Sequence, residues 1–248
     1  TMLGIFAALL AQRGVRTSEI SLESEKGYCR IFTNGHGNLD RLVAGLGHTY
    51  ETLRIAIRRH CNSQVVQAPI DAAQSIVLKH NITPDAIEKI VIHSCNYPVM
   101  YLNTREIHSA SMAVLNVPYG VALAVLNRKD MVLADQICDQ LNDEVVTTFM
   151  RKIEVVEDPE MTEALTRNKW PAKAVITTKN GKVYEETVWH ARGEFPENPL
   201  TEEEVLYKFR AYAGSSIGKS KSEQVIKAVN ALEKMKDIGE LADLIRGD

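Results

Sequence analysis

Arg58-Arg59-His60-Cys61-Asn62-Ser63-Gln64 is a dense run of side chains able to do chemistry, with no turn glycine inside it. A guanidinium such as Arg58 or Arg59 can grip a carboxylate through two parallel N–H bonds, and an imidazole such as His60 titrates near neutrality. Together they would suit a loop that binds carboxylates and moves a proton. The alternative is a solvated basic strand end in which His60 is hydrogen-bonded and inert. Two tyrosine segments follow. Asn96-Tyr97-Pro98-Val99-Met100-Tyr101 trails a strand, and Tyr119 follows Pro118 in an apolar helix. A phenol can donate to a developing enolate or carboxylate, although tyrosines more commonly pack with a satisfied hydroxyl. His108 and Ser109 are weaker candidates.

Other chemistries find little support. The cysteines (Cys29, Cys61, Cys95, Cys138) are far apart and form no CxxC pair, so no zinc or iron–sulfur site is expected and a reducing, cytoplasmic setting is the simplest one. Gly214-Ser-Ser-Ile-Gly218-Lys219-Ser220 looks like a phosphate loop. It has three residues between its glycines where four are needed, and it follows a helix instead of a strand. Gly35-His36-Gly37 has no dinucleotide fingerprint. His190 and the Glu157-Asp158 pair have no partner at useful spacing and read as surface.

These residues need elements to position them. Lys173–Thr178 and Val183–Val188 alternate as a β-hairpin, with Asn180-Gly181 supplying the positive φ angles of a tight turn. The chain then passes two prolines. Thr201 and Glu204 have capping-box spacing, and Val205, Leu206, Phe209 and Tyr212 recur at helical period. Upstream, Thr52–Arg58 alternates like a strand, 68–80 is an amphipathic helix and Lys89–His93 a strand. Helices are expected at 112–126 (interrupted or begun at Pro118), 131–141 and 144–150, and a strand at 153–156. Asn38 is expected to cap a helix through Leu46, Thr17-Ser18 another, and Ser220 one after Arg210, before a last helix at 238–245. The fold class is therefore α+β: helical over 1–57, mixed over 58–199, and helical again over 200–248.

With 248 residues, 45% apolar and 25% charged, the chain can bury a sizeable core. A net charge of −3 gives no field that favours nucleic acid. The run Met2–Ala11 is too short to span a bilayer and has no basic segment before it. It is apolar all round, so it wants neighbours on every side. We expect this chain to form a homo-oligomer or to join another polypeptide through Leu3, Phe6, Leu9 and Leu10.

Gly193-x-x-Pro196-x-Asn198-Pro199-Leu200-Thr201-x-x-Glu204-Val205-x-x-Lys208-Phe209-Arg210, after a hairpin with Asn-Gly, resembles the C-terminal signature of the MmgE/PrpD family. That family includes 2-methylcitrate dehydratase, cis-aconitate decarboxylase and iminodisuccinate epimerase. Residues 58–72 are similar to a family segment of form Lys-x-Tyr-Pro-Cys-Cys, a few residues, then Pro-Ala-Ile-Asp-Ala. Arg58 stands at the lysine position, His60 at the tyrosine and Asn62 at the first cysteine. Arginine binds carboxylates but does not release its proton near neutrality. If the family lysine acts as an acid, His60 has to replace it or the activity has changed. Tyr101 is the positional match to a family active-site tyrosine, whereas 114–124, around Tyr119, resembles a packing segment.

The resemblance implies a large helical domain built from both ends of the chain, with an α+β lid inserted, and covers only the C-terminal half of the family's length. It implies cofactor-free, metal-free lyase chemistry on a small polycarboxylate, in the manner of 2-methylcitrate dehydratase. Decarboxylation, epimerisation or a non-catalytic assembly role are the alternatives. His60 and Tyr101 would be catalytic, with Arg58 and Arg59 binding substrate. A histidine and an aspartate of the family lie in the other half, so a polypeptide carrying that half is an expected partner. No nucleic acid or membrane is expected as one.

Overall fold

The computed structural model describes residues 2–128 and 131–246. The chain divides into two compact units, Thr1–Leu53 and Arg54–Asp248. The first contains helix α1 (Met2–Gln12), a short α2 (Tyr28–Phe32) and a 3-10 turn at Leu39–Leu42. Among its described residues only Gly27 is buried. Phe6 is 58% exposed and Leu3 76%, so the apolar character of α1 is spent on no core within this unit. Asn38 does cap, accepting from Asp40 N–H at 3.1 Å, but the helix it starts stops at Leu42. Positive φ at Gly45, inside the expected span, is incompatible with a helix through Leu46. Thr17-Ser18 start turns and no helix.

The second unit is mixed helix and strand. After the long α3 (Gln64–Lys79) come β1 (Ile87–Ser94), α4 (Asn96–Tyr101), α5 (Ala110–Leu115), α6 (Val117–Asn127), α7 (Ala134–Asp139) and α8 (Glu144–Met150). Then follow β2 (Ile153–Glu157), α9 (Pro159–Ala164), β3 (Ala172–Thr178), β4 (Val183–Val188), α10 (Glu202–Ser216), α11 (Lys219–Asn230) and α12 (Gly239–Ile245). The strands make one sheet in the order β2-β1-β3-β4. The β1–β2 pair is parallel and the other two pairs are antiparallel. Ala172, Ala174, Ile176 and Thr178 are buried along β3, with half-buried residues between them, as period-2 alternation demands. Helix α3 packs on β3 and β4 and against α6, and α6 packs in turn on β2 and α8. Their shared interior, from Val66, Ile70 and Ile76 to Leu123, Ile90 and Ile176, is fully closed to water. No helix among the described residues is long and apolar enough to cross a membrane.

Several local expectations are corrected. Thr52–Arg58 is no strand: Glu51–Arg54 forms a 3-10 turn and 55–58 is irregular. Its alternating apolar residues, Leu53, Ile55 and Ile57, are all exposed, and among the described residues its one strand-like bond is Ile57 N–H to Gly193 O at 3.0 Å. The hairpin loop has three residues, since Thr178 N–H bonds to Lys182 O, and only Gly181 has positive φ, at 80°. That is the pattern of a turn closed by a left-handed glycine. Pro118 marks a helix start: Asn116 ends α5 and caps α6 by accepting from Tyr119 N–H at 2.8 Å. The 131–141 helix contracts to α7. Helix α11 begins at Lys219, so its N-cap is Gly218, which has no side chain to cap with, and Ser220 lies inside the helix; Glu223 pairs with Arg210 at 2.6 Å.

Candidate functional site

The run 58–63 is a tightly specified loop, and the first turns of α3 dictate its shape. Gln67, fully buried, accepts from His60 N–H at 2.9 Å and donates to the carbonyls of His60 (3.2 Å), Asn62 (2.9 Å) and Ser63 (3.3 Å). One side-chain amide thus satisfies backbone groups that a buried loop would otherwise leave orphaned. Cys61 N–H bonds to Val132 O, and Ser63 N–H to Val114 O.

His60 does not face a cleft. Its ring is 0% exposed, with Nδ1 accepting from Val132 N–H at 3.1 Å and Nε2 set 3.0 Å from Asp71 Oδ1. Because Nδ1 accepts, the proton lies on Nε2 and is donated to the carboxylate. Burial, opposed by Asp71, pushes the His60 pKa down, so the imidazole stays neutral. In this arrangement His60 orients Asp71, and no ring nitrogen is left for a ligand. The same carboxylate accepts from Arg192 N–H at 2.7 Å and, more loosely, from Arg59 at 3.5 Å. Asp71 therefore ties the loop, α3 and the segment after β4 together.

That segment explains the Gly-x-x-Pro-x-Asn-Pro-Leu-Thr pattern. Gly193 has φ 99°, and a Cβ there would lie 1.9 Å from Ile57 O, so only glycine fits. Arg192 donates to Glu204 through Nε (3.1 Å) and Nη2 (2.5 Å) and to Asn198 Oδ1 at 2.9 Å. Asn198 Nδ2 returns to His190 O at 3.0 Å. Thr201 and Glu204 form the anticipated capping box of α10. Hydrogen bonding to Arg192 is the main cause that pushes the Glu204 carboxyl down to about 2.

The other sequence candidates differ in accessibility. Arg58 is exposed, and its Nη1 donates to Asn62 O at 3.1 Å. Lys208 of α10 donates to Arg58 O. Burial first, and then the charge of Arg58, pull the Lys208 pKa down, against an opposing effect of Cys61. Among the described residues neither cation has a carboxylate partner. Arg59 lines an open cleft of about 540 Å³ with Asp71, Gln74, Trp189, His190 and Arg192. Its Nη1 contacts Asp71 and Gln74 at 3.5 and 3.4 Å, and its buried Nε has no partner. Tyr101, on α4, is 65% exposed, its ring 5.2 Å from that of Tyr97. Tyr119 is fully buried, its hydroxyl donating to Ile137 O at 2.9 Å and its pKa pushed up to about 12 by burial. It is a packing residue. His108 is exposed beside Glu106.

The sequence reading missed Asp71, Gln67, Arg192 and Lys208. The signal for Lys208 was present, four residues beyond the capping glutamate on the same helix face. His190, read as surface, is half-buried with Nδ1 3.2 Å from Glu194 Oε2. Glu157 accepts from Thr162 Oγ1 and Asp158 caps α9, both local structural roles. Three or more His, Cys, Asp or Glu side chains do not converge on a metal position among the described residues.

Residues 60–234 match the model of the MmgE/PrpD C-terminal domain. The chain is 24% identical over 98% of its length to a cis-aconitate decarboxylase of Aspergillus terreus. It is 26% identical over 99% to a cis-aconitate decarboxylase-like protein of Aspergillus oryzae, and 25% over 98% to the Homo sapiens cis-aconitate decarboxylase. It covers 52%, 53% and 50% of those proteins respectively, so it spans about half the length of the curated relatives it matches. The chain belongs to the MmgE/PrpD family.

Proposed function

We propose that this chain supplies the cationic, carboxylate-binding part of a lyase acting on a small polycarboxylate. The observation behind it is that Lys208 donates to the Arg58 carbonyl, bringing two cations to one loop where no carboxylate of the described residues pairs with either. Two like charges side by side are costly unless an anion joins them, which makes the pair a preformed carboxylate receptor. The relatives' names favour cis-aconitate as substrate over 2-methylcitrate and decarboxylation over dehydration. Breaking the bond to a carboxylate releases carbon dioxide and leaves the electron pair on carbon. Cations that hold the remaining carboxylates stabilise that charge, and an acid then protonates the carbon. Tyr101, exposed and with no hydroxyl partner among the described residues, is the acid candidate of this chain. His60 acts indirectly, by fixing Asp71 and the loop that presents Arg58.

On this reading residues 58–199 serve as a lid on a helical domain to which 1–57 and 200–248 contribute. A second copy or a polypeptide with the family's other half covers Leu3, Phe6, Leu9 and Leu10. A monodisperse monomer at high dilution that also fails to bind such a polypeptide would remove that part. The test of function is turnover of cis-aconitate and of 2-methylcitrate by this chain together with that polypeptide. Arg58→Ala should cost ~2–5 kcal/mol in kcat/KM, the scale for losing one partner of a desolvated charge pair. Full activity of that variant would exclude the pair from the site.

A further inference from the structure

A second cleft, of about 640 Å³, adjoins the same loop. Its lining includes Ala56 and Gln64, which bracket 58–63, together with Lys169, Trp170 and His190. The Trp170 ring meets Tyr97 edge-on at 6.1 Å, and Tyr97 meets Tyr101 at 5.2 Å. A row of aromatic rings therefore leads from this cleft to the exposed tyrosine.

The charge on Lys169 is poorly met. Its Nζ lies 3.3 Å from His190 Nε2 and 3.8 Å from Glu197 Oε1. An ammonium can only donate, so His190 Nε2 accepts and Nδ1 donates its proton to Glu194, 3.2 Å away. The imidazole is neutral in this arrangement, held by a carboxylate on one side and turned to the lysine on the other. Glu197 is a distant partner whose side chain is 40% exposed, so it can return to water when another anion approaches. Trp170 offers an apolar surface beside the ammonium. The Lys169 cation and the aromatic wall of Trp170 match a short carbon skeleton ending in carboxylates.

We infer that this cleft, which adjoins the 58–63 loop, receives a small polycarboxylate, with Lys169 binding one of its carboxylates. The inference rests on the lyase reading for its ligand class and adds a specificity-determining residue to it. His190, fixed by Glu194, positions the Lys169 ammonium.

The two tryptophans of the chain make the test selective, because Trp170 lines this cleft and Trp189 the neighbouring one. Indole N–H resonances of the full chain are followed while tricarballylate, an unreactive tricarboxylate, is added to millimolar concentration. The Trp170 signal should move saturably and the Trp189 signal should move less. Lys169→Met should weaken the apparent affinity roughly 10-fold, and Lys169→Arg should retain most of it. A stationary Trp170, an unchanged titration in Lys169→Met, or inorganic phosphate acting as well as tricarballylate would each overturn the assignment. Failure here with Arg58→Ala still lowering turnover leaves the lyase reading intact. Loss of the shift in Lys169→Met, with Arg58→Ala harmless to turnover, would instead retain this cleft and discard the Arg58 receptor.

Discussion

Replacing Asp71 by asparagine keeps the shape of the side chain and changes one oxygen into a donor. In the native structure both oxygens accept: one from His60 Nε2 at 3.0 Å, the other from Arg192 N–H at 2.7 Å. The side chain, at the wall of the cleft, is only 10% exposed, so water reaches it poorly. His60 cannot escape by moving its proton, because Nδ1 must accept from Val132 N–H. Arg192 offers a backbone amide, which has no alternative. Whichever way the new amide turns, a donor faces a donor. The lost charge-assisted bond is worth about 1.5–3 kcal/mol, and a stranded buried donor costs about 1–3 more. Allowing for relaxation, Asp71→Asn should destabilise by about 3 kcal/mol, lowering Tm by about 6–12 °C at ~2–4 °C per kcal/mol. Urea midpoints of the wild type, Asp71→Asn, His60→Gln and the double variant give the coupling, expected to exceed about 1 kcal/mol. A loss under about 0.5 kcal/mol, or strictly additive single effects, would refute the description of Asp71 as the tie between loop, α3 and the Arg192 segment.

Two further outcomes follow from the same network. Gly193→Ala places a Cβ 1.9 Å from Ile57 O at a φ of 99°. It should cost at least about 3 kcal/mol, and a normal urea midpoint would show that the backbone moves aside easily. Acid should destabilise the fold in two stages. His60 has a folded pKa below its ordinary 6.5, so the unfolded chain binds the extra proton and stability falls as pH drops below about 6.5. Glu204, shifted from 4.5 to about 2, contributes stability that is complete above 4.5 and lost on the way down to about 2. With a quarter of its side chain in water, screening reduces that contribution to ~1–2 kcal/mol. Arg192→Met should erase the lower stage and leave the upper one; a pH–stability curve unchanged below 4.5 would show that the pair contributes little.

The β3–β4 hairpin and the α10 capping box were legible because each is fixed by neighbours in sequence. Alternation along 173–178, a left-handed glycine at 181, and Thr201 three residues before Glu204 are local statements. Thr52–Arg58 shows the opposite case. Its alternation is as regular as that of β3, yet Ile55 and Ile57 find no neighbouring strand and stay exposed. Alternation specifies a strand only where a sheet edge is available to pair with it. Likewise, Ser220 and Glu223 have capping spacing, but the helix already starts at Lys219, so Ser220 is inside it and the N-cap is Gly218.

The same distinction separates what was found from what was missed at the site. Arg58, Arg59 and His60 drew attention because they are consecutive, and consecutive residues on an irregular loop share no common direction. One is exposed, one is half-buried over a cleft, and the third is closed in completely. The difference arises from Gln67, which pins the carbonyls of residues 60, 62 and 63 and so turns the imidazole inward, where only Val132 and Asp71 meet it. Lys208 is 150 residues beyond Arg58 and reaches it only because α10 returns beside the loop. Helix α10 is anchored there by Glu204 on Arg192, and Arg192 by its own amide on Asp71. The cation pair is thus set by a chain of contacts whose members, His60, Asp71, Arg192 and Glu204, need never touch a substrate. Substitutions along that chain should alter the presentation of Arg58 and Lys208 without removing either charge.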